Sequence, residues 1–544
     1  MRKGLSTRLW VWVVWALLAP YWALGHVGSP DVFFDGKAGP YPVRVTIRMP
    51  TVVPGRAEIA TRVQSDGPVE VSYLPLYSRT AVSNAPPADP GRLVAGETNL
   101  YSGELWLMSM GAYSIEVRVK GREGEGKIEI PVNSVALSQL PLPVSLGAIL
   151  VFLTVLLVVM GWGIVVAAAR EGVLPAGAAP GKAERRRGWR AGVVMGLVFA
   201  FLLWGGNRWW AVEEEGFRGR LRAGAWPDLK MESRVEGSDR VLRLTLGEAA
   251  FGPDYFIPLM PDHGKLLHFF LIRQPARDAF AHLHPVRKGG KTFEVTLPPL
   301  PEGRYEVLCD LTLENSGLSS TATNVVDLPA PPAGSWTGAA LRMNKAEVIC
   351  GPELSQTNSS AGAALRPDAD DSWAVYPANL TPVAAGEPPV FRFPTGERLI
   401  WKSRGALRAR HDAGFDFAVE DAAGKPAMLE PYMGMISHTA VLRNDGAVFA
   451  HLHPTGNFSM AAQMFFEAKA RKENGGGEKM AAGMDHSRMG HMDHMANAAT
   501  GGAAVSAFSL PYEFPTAGDY RIWVQFKTGG RVLTGVFDAA VAAE

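Results

Sequence analysis

The sequence predicts a mainly β protein: three immunoglobulin-like β-sandwich modules outside the membrane, two transmembrane helices and an N-terminal signal segment. Three observations carry this prediction. Apolar residues alternate at period two over long stretches, as half-buried strands require. Two uninterrupted apolar runs are long enough to span a bilayer. A histidine-containing motif occurs twice in the C-terminal half, which marks an internal repeat.

The first element is the N-terminus, Met1-Arg2-Lys3 followed by an apolar run from Leu9 to Gly25. A positive start and the small-residue pattern Ala23-Leu24-Gly25 read as a signal segment over 1–25, an uncleaved anchor being the other reading. Residues 26–138 alternate through Val43, Val45, Ile47 and Met49, then Leu105 and Leu107, then Ile115, Val117 and Val119, then Ile128 and Ile130. That is a β-sandwich of immunoglobulin-like size. Gly121-Arg-Glu-Gly-Glu-Gly126-Lys127 has phosphate-loop spacing, but Ile128 replaces the hydroxyl residue that would hold Mg²⁺, so it reads as a hairpin turn.

The apolar runs 144–169 and 191–212 are the transmembrane helices, the second with Trp204, Trp209 and Trp210 as an interfacial belt. The loop 170–190 carries Arg170, Lys182, Arg185, Arg186, Arg187 and Arg190. Positive loops stay in the cytoplasm, so both flanking regions lie outside it. The expected location is a bacterial cytoplasmic membrane with large domains in the periplasm. A net charge of +1 gives no footprint for nucleic acid.

The repeat occupies 217–329 and 396–544, joined by a Pro-, Ala-, Ser- and Gly-rich linker over 330–395. Pro261, Gly264 and His268 align with Pro431, Gly434 and His438 at an offset of 170. Phe280-Ala-His282-Leu-His284-Pro285 aligns with Phe449-Ala-His451-Leu-His453-Pro454. Tyr305 aligns with Tyr520 at an offset of 215, so the second copy carries an insertion within 460–505.

The Asp445-Gly446 turn sets a hairpin register that places His438 opposite His453, with His451 diagonal on the same face. A three-residue loop at Pro275–Arg277 does the same for His268, His284 and His282. Opposed Cβ atoms lie about 5 Å apart, so three imidazoles per copy can converge on a metal. His263 occupies the place of Met433, and Lys265 that of Met435. A mixed His/Met set favours copper, because thioether suits Cu(I), with zinc as the alternative ion; Lys265 makes the first copy the weaker copper site. The other reading of the motif is packing and turn formation.

The insertion contains Met484, His486, Met489, His491, Met492, His494 and Met495 between Gly- and Ala-rich flanks, and reads as a flexible metal-capturing loop for Cu(I) or Cu(II). The run Met484-Asp-His-Ser-Arg-Met-Gly-His-Met-Asp-His494-Met resembles the Met/His segments of bacterial periplasmic copper-resistance proteins. The module after the signal resembles CopC-like or YtkA/FixH-like domains. By that resemblance, cleavage after Gly25 would make His26 an N-terminal Cu(II) ligand.

Cys309 and Cys350 can form a disulfide or stay separate, and His411 reads as a surface residue. No nucleophile elbow or catalytic carboxylate pair stands out. The expected function is a membrane-embedded copper-binding protein that buffers or delivers the ion, with a copper exporter, oxidase or other periplasmic protein as partner. The alternatives are a metal-dependent extracytoplasmic enzyme using a three-His site, and an immunoglobulin-like scaffold for a membrane assembly.

Overall fold

The computed structural model describes residues 31–138, 140–175, 177–224, 229–237, 239–247, 258–331, 349–351, 368–376, 388–402, 405–473 and 505–544. The expected signal segment 1–25, His26 and the Met/His run 484–495 lie outside the described residues. The protein is mainly β, with several antiparallel sheets, and divides into two units.

The smaller unit, Ser138–Ala225, is a pair of helices, Val144–Glu171 and Lys182–Gly224. Both are long and apolar enough to cross a membrane. The second helix starts nine residues before the span expected at 191, so Lys182–Arg190 is helical and only 172–181 connects the two. The same helix runs through 217–224, which had been assigned to the first repeat. Trp162 donates its indole N–H to the Gly192 carbonyl at 2.8 Å across the pair.

The larger unit contains all the sheets. Residues 32–134 form a five-stranded and a four-stranded antiparallel sheet. Every alternating residue named above, from Val43 to Ile130, is buried in their common core. The residues 121–124 are the tight turn between the strands Gly111–Gly121 and Gly124–Ser134, as the missing hydroxyl predicted.

Each repeat copy pairs one antiparallel sheet with a second sheet built on the histidine hairpin. In the first copy the hairpin His268–Arg273/Ala279–Leu283 lies beside Gly303–Leu313. In the second, Ser437–Arg443/Phe449–Leu452 lies beside Gly518–Thr528. The repeat is real down to backbone conformation. His263 and Met433 have φ of 49° and 50°, and Gly303 and Gly518 have 136° and 143°. Tyr305 donates its hydroxyl to the Pro301 carbonyl at 2.8 Å, and Tyr520 to that of Thr516 at 2.7 Å.

The linker assignment for 330–395 is corrected. Ile349–Gly351, Ser372–Val375 and Val390–Arg392 are strands. Ser372–Val375 pairs with Ala279–Leu283 and extends the first copy's sheet. Ile349–Gly351 pairs on its other side and forms the edge. Three or four residues suffice for such strands, too few for a period to show in a Pro- and Ala-rich stretch.

The two hairpin sheets pack against each other. Phe269, Leu271, Ala279, Ala281 and Leu283 face the first copy's own core. The alternate residues Phe270, Ile272 and Phe280 join the second copy's core. Phe280 stacks on Trp523 at 5.0 Å, and Phe270 meets Phe449 edge-on at 5.3 Å. These strands are therefore buried on both faces, unlike the one-sided alternation expected for them.

Candidate metal centre

The period of two places each histidine. His268 and His282 share the face of Phe270 and Phe280, so they point at the second copy. His438 and His451 share the face of Ala440 and Phe449, and point back. Carried one step past its last bridge, each ladder puts His268 opposite His284 and His438 opposite His453. The predicted register is thus the observed one. Within the first copy the three rings lie 4.8–5.3 Å apart, and within the second 4.6–5.5 Å.

What the hairpins alone do not show is that the two triads meet. His268, His282 and His451 each offer a ring nitrogen within 4.8 Å of the others, and so do His263, His438 and His453. Each group therefore draws on both copies.

Hydrogen bonds orient the first group. The Asp262 carbonyl accepts from His268 Nε2 at 3.1 Å, and Gln525 Oε1 accepts from His282 Nδ1 at 3.0 Å. Asp310 lies 3.3 Å from His451 Nδ1. These supports are reciprocal across the copies: Asp310 pairs with His268 and supports His451, while Gln525 pairs with His438 and supports His282. Carbonyl and amide oxygens only accept, so the remaining nitrogens, His268 Nδ1 and His282 Nε2, carry lone pairs. They face each other at 3.1 Å. Burial, with neighbouring imidazoles adding to it, pushes both rings well below the ordinary histidine pKa, so no proton separates them. Two facing lone pairs call for a cation. Tetrahedral bonds of about 2 Å need donors about 3.3 Å apart, near the observed spacing.

The second group makes the same demand differently. His438 and His453 are buried, and neither ring nitrogen of either has a hydrogen-bond partner. Burial again drives both pKa values well down. Buried polar atoms are nearly always satisfied, so the one lone pair that each neutral ring leaves unpaired among the described residues fits a ligand that takes lone pairs. The ring of His263 lies 5.3 Å from that of His438 and 4.8 Å from that of His453.

The remaining expected donors fall differently. His284 stands with the first triad, but Asp371 holds its Nδ1 at 3.0 Å. Lys265 does not charge the cluster, because it pairs with Asp368 at 2.6 Å and Asp370 at 3.1 Å. Met433 packs with Tyr432 and Val532, and Met435 is buried. Cys309 is a free buried thiol on a central strand, its pKa raised by burial. His411 is exposed, as expected. Asp310, Asp371 and Gln525 were missed as supporting residues. Only the acidic run Asp368-Ala-Asp370-Asp371 carried a signal, and it lay in the presumed linker.

A cavity of about 160 Å³ opens beside the cluster, lined among others by His268, His451, His453, Asp262, Asp310 and Ser459. The expected loop 460–505 is in part a helix, Met460–Glu473, and Ala462 on it also lines the cavity. The N-terminal sandwich fixes the turn after His453. Asn457 donates to the Asp31 carbonyl and accepts from the Phe33 amide, each at 2.8 Å. Gly456 has a φ of 143°, and a Cβ there would meet the Phe33 carbonyl oxygen at 2.0 Å. Gly456→Ala is expected to destabilise the fold by about 3 kcal/mol, through overlap with backbone that cannot retreat. A denaturant midpoint within error of the parent would refute this.

Residues 395–543 match a family described as a domain of unknown function, DUF8832. The matched stretch thus holds His438, His451 and His453, while His263, His268, His282 and His284 lie before it. No curated protein matches the chain. Among solved structures, Escherichia coli alpha-2-macroglobulin activated by porcine elastase is similar at 9% identity and a TM-score of 0.13. That match covers 94% of this chain and 35% of the other, so the chain spans about a third of that protein's length. A putative membrane anchored protein from Corynebacterium diphtheriae is similar at 7% identity and a TM-score of 0.13, over 94% of this chain and 96% of that one. At these scores neither likeness bears on fold or function.

Proposed function

We propose that this is a membrane-anchored periplasmic metal-binding protein that binds copper, and that its ordered site is the histidine cluster between the two repeat copies. The observation that carries this reading is the buried pair His438 and His453, whose ring nitrogens have no hydrogen-bond partner among the described residues. Leaving such groups unpaired is costly, and ligation of an ion satisfies the lone pair of each ring. Neutral imidazole suits Cu(II) and zinc. Copper is preferred because the same chain carries the thioether and imidazole donors from Met484 to Met495. That run follows the helix beside the cavity in sequence, so it would capture the ion and the cluster would hold it. A copper exporter or oxidase would be the partner in delivery.

Anchoring rests on the two long apolar helices, and the outside placement on the arginines between them. The modules are read as immunoglobulin-like because paired antiparallel sheets and the hydroxyl-to-carbonyl bonds of Tyr305 and Tyr520 recur in such sandwiches. The cavity against His268, His451 and His453 favours a second reading, a metal-dependent enzyme with an open coordination position.

The test is titration of the full chain in detergent with Cu(I), Cu(II) and Zn(II) under competition. It is compared with His438→Ala/His451→Ala/His453→Ala and with a chain lacking 478–496. Copper binding lost in steps with the two changes supports the reading. Absence of stoichiometric binding of any ion overturns it. Asp310→Asn is expected to lower affinity at the cluster by about 10- to 100-fold, because it weakens the bond that orients His451. An unchanged dissociation constant would show that the carboxylate has no part in ligation.

A further inference from the structure

We infer that the two three-histidine groups form one coupled two-ion centre, and that the cavity beside it admits a small anion which bridges the ions. The inference rests on the metal-binding reading and adds stoichiometry, coupling and a ligand class to it.

The groups share no residue, and each has three donors, so each leaves a coordination position open. His451 of one group lies 4.6 Å from His453 of the other, ring centre to ring centre, and 5.5 Å from His438. His263 lies 6.1 Å from His268. Within the groups the corresponding distances are 4.8–5.4 Å. Two ions held this way are immediate neighbours.

Their charge then needs an answer. Two divalent ions bring four positive charges into a buried pocket of neutral imidazoles. Three carboxylates stand against the cluster without a lysine or arginine partner among the described residues: Asp310 at His451, Asp371 at His284, and Asp262, 3.6 Å from His263 Nε2. Asp368 and Asp370 share the single charge of Lys265, which leaves one further negative charge beside the cluster. The carboxylates therefore match the four charges of two divalent ions, as buried charge requires. A small anion enters as the bridging ligand at the two open coordination positions, not as a missing counter-charge.

The cavity provides the place. It is bounded by His268 and His451 from one group and by His453 from the other, so an occupant can reach both ions. At about 160 Å³ it has room for a two- or three-atom anion, a water molecule taking about 30 Å³ of liquid volume.

The experiment uses the full chain in detergent with His26, Met484, His486, Met489, His491, Met492, His494 and Met495 changed to serine, so that the ordered cluster is the copper site observed. The chain is dialysed against Cu(II) and examined by electron paramagnetic resonance with azide as the anion probe. The expected result is two Cu(II) per chain, a spin integral well below two, and a spectral change that saturates at one azide per two copper ions. His263→Ala/His453→Ala should hold one Cu(II), give a full single-spin signal and lose the one-to-two azide stoichiometry. A single copper in the parent, or two with a full two-spin integral, overturns the coupled centre and leaves metal binding standing. Azide without effect on a coupled pair overturns the bridging anion. No copper at all overturns the metal-binding reading itself.

Discussion

His438→Leu is expected to raise the stability of the metal-free chain by about 1–3 kcal/mol while lowering metal affinity by more than about a hundredfold. The two effects have one cause. His438 is fully buried, and both its ring nitrogens lack hydrogen-bond partners. An unsatisfied buried polar group costs about 1–3 kcal/mol, and an apolar side chain of similar volume removes that cost. One of these nitrogens is a donor in the group with His263 and His453. Loss of a supporting hydrogen bond alone lowers metal affinity by about 10- to 100-fold, so loss of a donor should exceed that. Paired chemical denaturation and metal competition on the variant would check both signs. A metal-free variant less stable than the parent would mean that His438 serves packing, the bland reading of the repeated motif.

Acid should destabilise the metal-free chain steeply below about pH 6.5. His268, His282, His438 and His453 have their pKa values driven well below 6.5, by burial first and by neighbouring imidazoles second. The sign follows from proton counting. The unfolded chain takes up protons on these rings near pH 6.5, and the folded chain does not. Stability is therefore intact above that pH and falls as pH drops through it. Each unshared proton costs about 1.4 kcal/mol per pH unit, so four set a ceiling of about 5 kcal/mol per unit. A typical domain stability of about 5–15 kcal/mol would be consumed within about one to three units. Bound metal should shift the transition to lower pH, because ion and protons compete for the same lone pairs. Unfolding midpoints followed by circular dichroism from pH 8 to pH 4, with and without Cu(II), test this. A flat profile in the metal-free chain would show that the rings are not held neutral by burial.

Several elements were legible from sequence. The first span came within a turn of its helix and the second lies inside a longer one, because a bilayer-length apolar run has few alternatives. The hairpin register of His438 and His453 followed from the turn residues Asp445-Gly446, since turn length dictates which residues face each other. The first copy's register followed in the same way from Pro275–Arg277. The strands inside 330–395 were hidden by their shortness. Asp371 and Gln525 were hidden because a supporting residue needs only one oxygen in the right place, which leaves no spacing to read.

By itself the sequence determined the strand periodicity, the repeat, the two apolar helices and the face on which each hairpin histidine stands, because these depend on neighbours in the chain. Only the tertiary structure decided that the two histidine faces pack together, that His451 joins His268 and His282, and that His263 joins His438 and His453. Local pattern can say that a strand face is buried. What buries it is the partner that best matches its shape and apolar area, a choice made between segments about 170 residues apart. The run His268-Phe-Phe-Leu-Ile272 was the one hint, since a strand apolar on both faces must be covered on both.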